Sequence, residues 1–374
     1  MSSSSLLSLP KDILVLLPDF LHNIEDYTNL ASTCRALREC MNSASSKAIL
    51  KLAAAQTKIF FRPSPHFLVA ATARELGHWA RQSDTNEAQL AEALRHGMEG
   101  LLDLAVEHCG LTMPRIRELH QMRFDVINPV VDIIDKCVGS QWYATPGFWN
   151  GGVDDAYTID SDAPECVFHL AIYGELFGPD LESFLDQEWD KRRLSVVTRL
   201  EYIKYCVPDF ANVCMPWGGS VDDRLKLQPT GPYTKNATRS YELEYSGPQH
   251  NVALTWVLRS SRWRPHWKAM RTAAGCEDWE EDFEDGWWYV EDDERDWRQR
   301  LWENVMVCQG LEGLEMIRPE RRENWSERVR NWKEKIGRLE KEPEIVRVGN
   351  QATHEYAYLM GDLRTCASGY VGGT

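Results

Sequence analysis

Apolar positions near the start of the chain recur at helical spacing. Leu9, Ile13, Leu16, Leu17, Phe20 and Leu21 fall at i, i+4, i+7, i+8, i+11 and i+12, one broad stripe on a helix. Pro10 sits in the first turn, where its missing N–H costs little, and Asp12 suits the positive helix start. Pro18 stands inside the same helix and predicts a bend. Asn23 followed by Asp26 reads as a capping-box variant opening a second helical stretch. Tyr27, Leu30, Ala31, Cys34, Leu37 and Met41 carry the apolar stripe along it.

Residues 6–55 read as helix throughout, after a short polar leader at 1–5. Arg62-Pro63-Ser64-Pro65 cannot continue a helix and predicts a linker at 56–66. Helical spacing resumes over 87–108 (Leu90, Leu94, Met98, Leu101, Leu102, Ala105), with Gly110 as the stop. It continues over 115–138, where Pro129 predicts a kink or a split. A loop is expected over 139–164, then shorter helices at 165–177, 180–190 and 193–206. Residues 214–250 lack periodicity, and one helix is expected near 250–260. The last helices are expected at 297–310 and 320–341. In the second, Trp325 and Trp332 lie seven residues apart, so both can face inward while the charges stay wet. Short strands are expected in 285–292 and near 344–349, and a loose tail at the end.

The expected fold is therefore mainly α, a small N-terminal three-helix unit followed by an irregular helical body with long loops. The segments are a leader at 1–5, the N-terminal unit and its following helix at 6–55, and a linker at 56–66. A helical body at 67–212 precedes a loop-rich acidic stretch at 213–296, C-terminal helices at 297–343 and a tail at 344–374. A unit of about forty residues rarely buries enough surface to stand alone. Its apolar faces need the rest of the chain or a partner.

Composition changes this picture in two places. Fifteen tryptophans, mostly in the second half, read first as core and second as interface anchors. The net charge of −15 argues against a general nucleic-acid binder and against docking on anionic lipid. Residues 276–296 hold twelve acids against one base and read as a solvated loop. No apolar run reaches the ~20 residues of a membrane helix, and the N-terminus lacks the pattern of a secretory signal. Ten cysteines are scattered without a C-x-x-C pair, which predicts reduced, mostly buried thiols and a cytoplasmic or nuclear setting.

Few residues follow a catalytic or metal-binding pattern. No H-E-x-x-H, H-x-D or H-x-E pattern, no nucleophile elbow and no phosphate-binding glycine loop occurs. The adjacent His108-Cys109 ends an amphipathic helix and reads as core or helix cap. Gly218-Gly219-Ser220 reads as a turn, and Asp154-Asp155, Asp160 and Asp162 do not follow the order of a calcium loop. Glu280-Glu281 and Asp292-Asp293 lack the apolar setting that would tune a catalytic acid. The expectation is a non-catalytic chain with no metal site and no cofactor. An enzyme in residues 67–374 would need a pocket gathering His108, His120 or His169 with acids.

One constellation is more specific. Leu9, Pro10, Asp12, Ile13, Leu14, Leu17 and Leu21, then Asp26, then Leu30, Cys34, Arg35 and Leu37, follow the order L-P-x-[DE]-I-L … L-x-x-x-C-R-x-L. The segment resembles the F-box family, with Leu37 at a position where Trp is frequent. The resemblance covers about a tenth of the chain. It implies a three-helix unit that binds the Skp adaptor of an SCF (cullin-RING) ubiquitin ligase, with Leu9, Pro10, Ile13, Leu14, Leu17, Leu30, Cys34 and Leu37 at or supporting the interface. Cullin, through Skp, and an unidentified protein substrate are the further partners implied; no nucleic acid or membrane is. A scaffold that binds Skp outside a ligase fits the same residues. Residues 87–190, including AIYGELFGPDLESFL at 171–185, are similar to an uncharacterised region of fungal F-box proteins.

Overall fold

A computed structural model describes residues 6–132, 162–207, 264–277, 297–342, 345–348 and 351–354. Among these the protein is mainly helical. The helices are α1 (Lys11–Leu14), α2 (Ile24–Thr33), α3 (Arg35–Met41), α4 (Ser46–Ala54), α5 (Thr57–Phe60), α6 (His66–Ala80), α7 (Asp84–Arg95), α8 (Gly97–His108) and α9 (Met113–Met122). After the first undescribed stretch come α10 (Ala163–Leu185), α11 (Val196–Cys206), α12 (Arg264–Ala274), α13 (Trp297–Val307), α14 (Gly310–Gly313) and α15 (Arg322–Gly337). One antiparallel hairpin follows, Ile345–Val348 against Gln351–His354, with Ile345 opposite His354. It matches the strand expected near 344–349. The strand expected in 285–292, the helix near 250–260, the acidic run from 278 and the final tail lie outside the described residues.

Side-chain caps mark where the helices begin. Asn23, Ser45, Ser83, Thr112, Asp162 and Ser195 each accept the backbone N–H three residues on. Each satisfies one of the donors a helix start leaves open. The stripe over 87–108 belongs to two helices rather than one. His96 closes α7 and Gly97 opens α8 at φ +71°, a backbone conformation that glycine adopts without strain. After α9 the chain continues through a π-helical turn at Arg123–Ile127, which precedes Pro129.

The central element is α10. Two helices separated near Pro179 are expected there, yet the structure shows one of 23 residues with Pro179 inside it. Proline removes one backbone hydrogen bond and strains the preceding turn. Burial on nearly all sides offsets that here: Cys166–Gly178, Asp180, Leu181 and Ser183–Leu185 are all buried. On one side α10 lies along α6, with Phe168 against Phe67. On another it meets the turn at 308–311 at very short range. A Cβ on Gly174 would fall 2.3 Å from the Gly310 nitrogen, and one on Gly178 2.8 Å from the Cys308 carbonyl oxygen. The two glycines, four residues apart, are what let this turn sit against the helix.

Polar groups lock these contacts. Glu175 accepts from Arg74 on α6 (2.6 Å) and from the backbone of Leu311 (2.9 Å), so one carboxylate ties three segments. Arg81 donates to Asp180 (2.6 Å) and to the Leu176 carbonyl (2.6 Å). Burial still pushes the Asp180 carboxyl up, although Arg81 pulls it down. Glu87 on α7 accepts from the Ser195 backbone (2.6 Å), the Thr198 hydroxyl (2.9 Å) and Arg192 (2.6 Å), holding the start of α11. Burial alone would raise its pKa; these hydrogen bonds outweigh burial and lower it.

At the C-terminal end Trp325 and Trp332 on α15 are both buried, ring centroids 6.2 Å apart, as their spacing predicts. Arg328 spans both rings and reaches Glu182 on α10. The apolar residues of the N-terminal helices, the body and the C-terminal helices join in one contiguous cluster. Phe61, in the segment expected to be a linker, is buried against Phe67. No described helix is long and apolar enough to cross a membrane.

Candidate functional site

The expected docking unit is helical and tied to the body. Pro18 divides the first stripe: α1 is only four residues long, and a 3-10 turn at Leu17–Phe20 begins with Pro18 in its first positions. The residues read as one stripe therefore separate. Leu14 points inward at 6% exposure, and Leu17 and Leu21 are half-buried against the core. Leu9 (42%), Ile13 (48%), Leu16 (46%) and Phe20 (74%) remain in water. Leu6 and Leu7, just before them, are exposed as well. Few soluble surfaces leave so many large apolar side chains uncovered within fifteen residues.

The other two helices build the support. Asn23 Oδ1 accepts from the Asp26 backbone at 2.7 Å, the half of a capping box that the sequence predicts. Cys34 takes an extended conformation and separates α2 from α3 by this one residue. The chain is thereby folded back, and the Tyr27 hydroxyl donates to the Met41 carbonyl at 2.7 Å. Burial pushes the Tyr27 pKa up, so it stays a donor at neutral pH. Of the eight residues assigned to the interface, Leu9, Pro10 and Ile13 are exposed. Leu17, Leu30 and Cys34 are half-buried, and Leu14 and Leu37 are in the core. Asp12 and Asp19 are exposed beside the apolar row.

The histidines sort differently. His108 stacks on Trp79, ring centroids 4.1 Å apart and nearly parallel. Cys109 is buried, and its thiol is pushed up to about 12 by that burial, which keeps it protonated at neutral pH. His120 is exposed and meets Phe124 edge-on. His108 has Glu107 at 3.6 Å, whereas His169 is gathered with both an acid and a second histidine, Glu165 and His66. Glu165 and His169 are one turn apart on α10, while His66 is the first residue of α6. One ring nitrogen from each imidazole and one Glu165 oxygen all lie within 4.8 Å of one another, and the rings meet edge-to-face at 4.7 Å.

Electrostatics at this cluster are set by burial. His66 is lowered to about 4, mainly by desolvation and against the pull of the Ser64 backbone, so its imidazole is neutral at physiological pH. Glu165 is raised to about 7 by burial and by the neighbouring charge of Asp162. Nδ1 of His66 is buried and has no hydrogen-bond partner among the described residues, an arrangement that costs ~1–3 kcal/mol. Sequence spacing missed the cluster. Glu165 and His169 have the i, i+4 separation of one helix face, but His66 arrives from about a hundred residues away.

Among the described residues six of seven cysteines are buried and all are free thiols; Cys34 is half-buried. Comparison with protein-family models, curated proteins and solved structures finds no match to this chain.

Proposed function

We propose that this protein is a non-catalytic substrate-recognition adaptor of an SCF-type ubiquitin ligase, working in the cytoplasm or nucleus. Its N-terminal helices dock the Skp subunit and, through Skp, a cullin. The helical body holds a protein target close to the transfer machinery, so that catalysis is proximity supplied by other subunits. The observation that carries this reading is the exposed apolar row Leu9, Ile13, Leu16 and Phe20, set on a segment that Leu14 and Leu37 anchor to the core. An apolar row fixed from behind can enter a partner's groove without first paying to order itself. The F-box resemblance over Leu9–Leu37 names the partner.

Affinity purification of the full chain from cells tests it. Skp and cullin should both be recovered. They should both be lost with the combined Leu9→Ala, Pro10→Ala and Ile13→Asp variant. Retention of Skp by a folded triple variant would overturn the interface. Recovery of Skp without any cullin would overturn the ligase role.

A further inference from the structure

The His66, Glu165 and His169 cluster shares no residue with the N-terminal row and is independent of the adaptor reading. We propose that these three side chains bind a divalent first-row transition cation, Zn2+ foremost, pinning the first turn of α6 to the first two turns of α10.

The donor set argues for the class of metal. Two imidazoles and a carboxylate suit zinc and its neighbours, whereas calcium and magnesium select all-oxygen sites. His2Glu is a zinc donor set that leaves one position open for water or a further ligand. The fit is close to what coordination needs. Zn–N and Zn–O bonds of ~2.0–2.1 Å put tetrahedral ligand atoms about 3.3 Å apart. The three atoms already lie within 4.8 Å of one another, so binding draws them inward by about an ångström or more.

A second, independent observation points to a ligand here. His66 is 6% exposed, and its Nδ1 has no hydrogen-bond partner among the described residues. Apart from the pull of the Ser64 backbone, nothing among the described residues satisfies this ring, and a buried neutral imidazole is a ready metal ligand. Its neighbours are also apportioned for the task. Both helices turn their N-terminal ends towards the site, and the partial positive charge there opposes a bare cation. The Glu165 carboxylate, with Asp162 capping the same turn, supplies the opposing negative charge. Half-burial of Glu165 leaves a way in from solvent, whereas both histidines are closed off. The Tyr202 hydroxyl donates to the His169 backbone carbonyl at 2.8 Å, which steadies the α10 turn that carries this ligand.

The test uses the full-length chain, stripped with chelator and checked for fold by circular dichroism. Zn2+ is titrated by calorimetry, and Co2+ by the visible bands of its nitrogen- and oxygen-ligated form. One ion per chain is expected, together with a rise in thermal midpoint on adding Zn2+. His169→Gln should weaken uptake at least about tenfold and abolish the midpoint rise. Where that variant folds poorly, Glu165→Gln, at the half-buried edge, takes its place with the same expectation. Wild-type chain that takes up no stoichiometric ion would overturn the site. So would uptake equal in wild type and a folded variant, which would assign the ion to surface histidines and leave the cluster a plain ring contact in the core.

Discussion

Along α10 almost every side chain is covered, whereas the fifteen residues from Leu6 to Phe20 leave six large apolar side chains in water. Both segments are rich in leucine, so leucine content does not separate them. Neighbours do. α10 is enclosed by α6, by the turn at 308–311 that its glycines admit, and by α13 to α15. Among the described residues the N-terminal segment meets the core through Leu14, Leu17, Pro18 and Leu21. The same apolar chemistry thus holds the fold together in one place and stays available in the other. An apolar surface that folding does not consume is where a binding partner is to be sought.

Substitutions at matched apolar positions sharpen the contrast. Phe177→Ala, at a ring buried between Tyr173 and Tyr202, should cost about 3–5 kcal/mol in denaturant unfolding. Asp180→Asn leaves Arg81 buried without its carboxylate and should cost about 3 kcal/mol, the lower end for a broken buried pair, because Asp180 itself resists ionisation.

Glu87→Gln should cost about 1–3 kcal/mol and release the start of α11, visible as faster amide exchange at Ser195–Thr198. Its pH dependence has a definite sign. The folded pKa is depressed below the usual 4.5, so the contribution is complete above that pH and is lost as pH falls through the folded value. Wild type should therefore lose stability more steeply than Glu87→Gln on acidification below about pH 4.5. Ile13→Ser and Phe20→Ser should shift stability by no more than about 0.5 kcal/mol, since neither side chain is buried. A cost near that of Phe177→Ala would dissolve the contrast between the two segments.

Much of the fold could be read from spacing. Helical periodicity, the Asn23–Asp26 cap, the inward pair Trp325 and Trp332, and the strand near 344–349 depend on residues close in sequence. Where reading went astray, distant packing decided. Pro179 ends a helix on local rules, but enclosure by α6 and the C-terminal helices keeps α10 whole. The division of 87–108 at Gly97 is local, yet the surrounding apolar spacing runs on through it and conceals the break. The F-box-like motif does not show that Leu14 and Leu37 turn inward while Leu16 and Phe20 turn out. The His66, Glu165 and His169 cluster was illegible for a similar reason: one of its members is brought in only by the α6–α10 contact.

The uncovered N-terminal row is proposed as the Skp-binding surface. A binding titration of purified full-length chain against purified Skp, with the Leu9→Ala, Pro10→Ala and Ile13→Asp variant alongside, tests it most directly. A one-to-one wild-type complex is expected, and the variant, with an unchanged thermal melt, should bind at least about thirtyfold more weakly, the equivalent of about 2 kcal/mol. Failure of the wild-type chain to bind Skp, or equal binding by the folded variant, would rule out this surface as the Skp site.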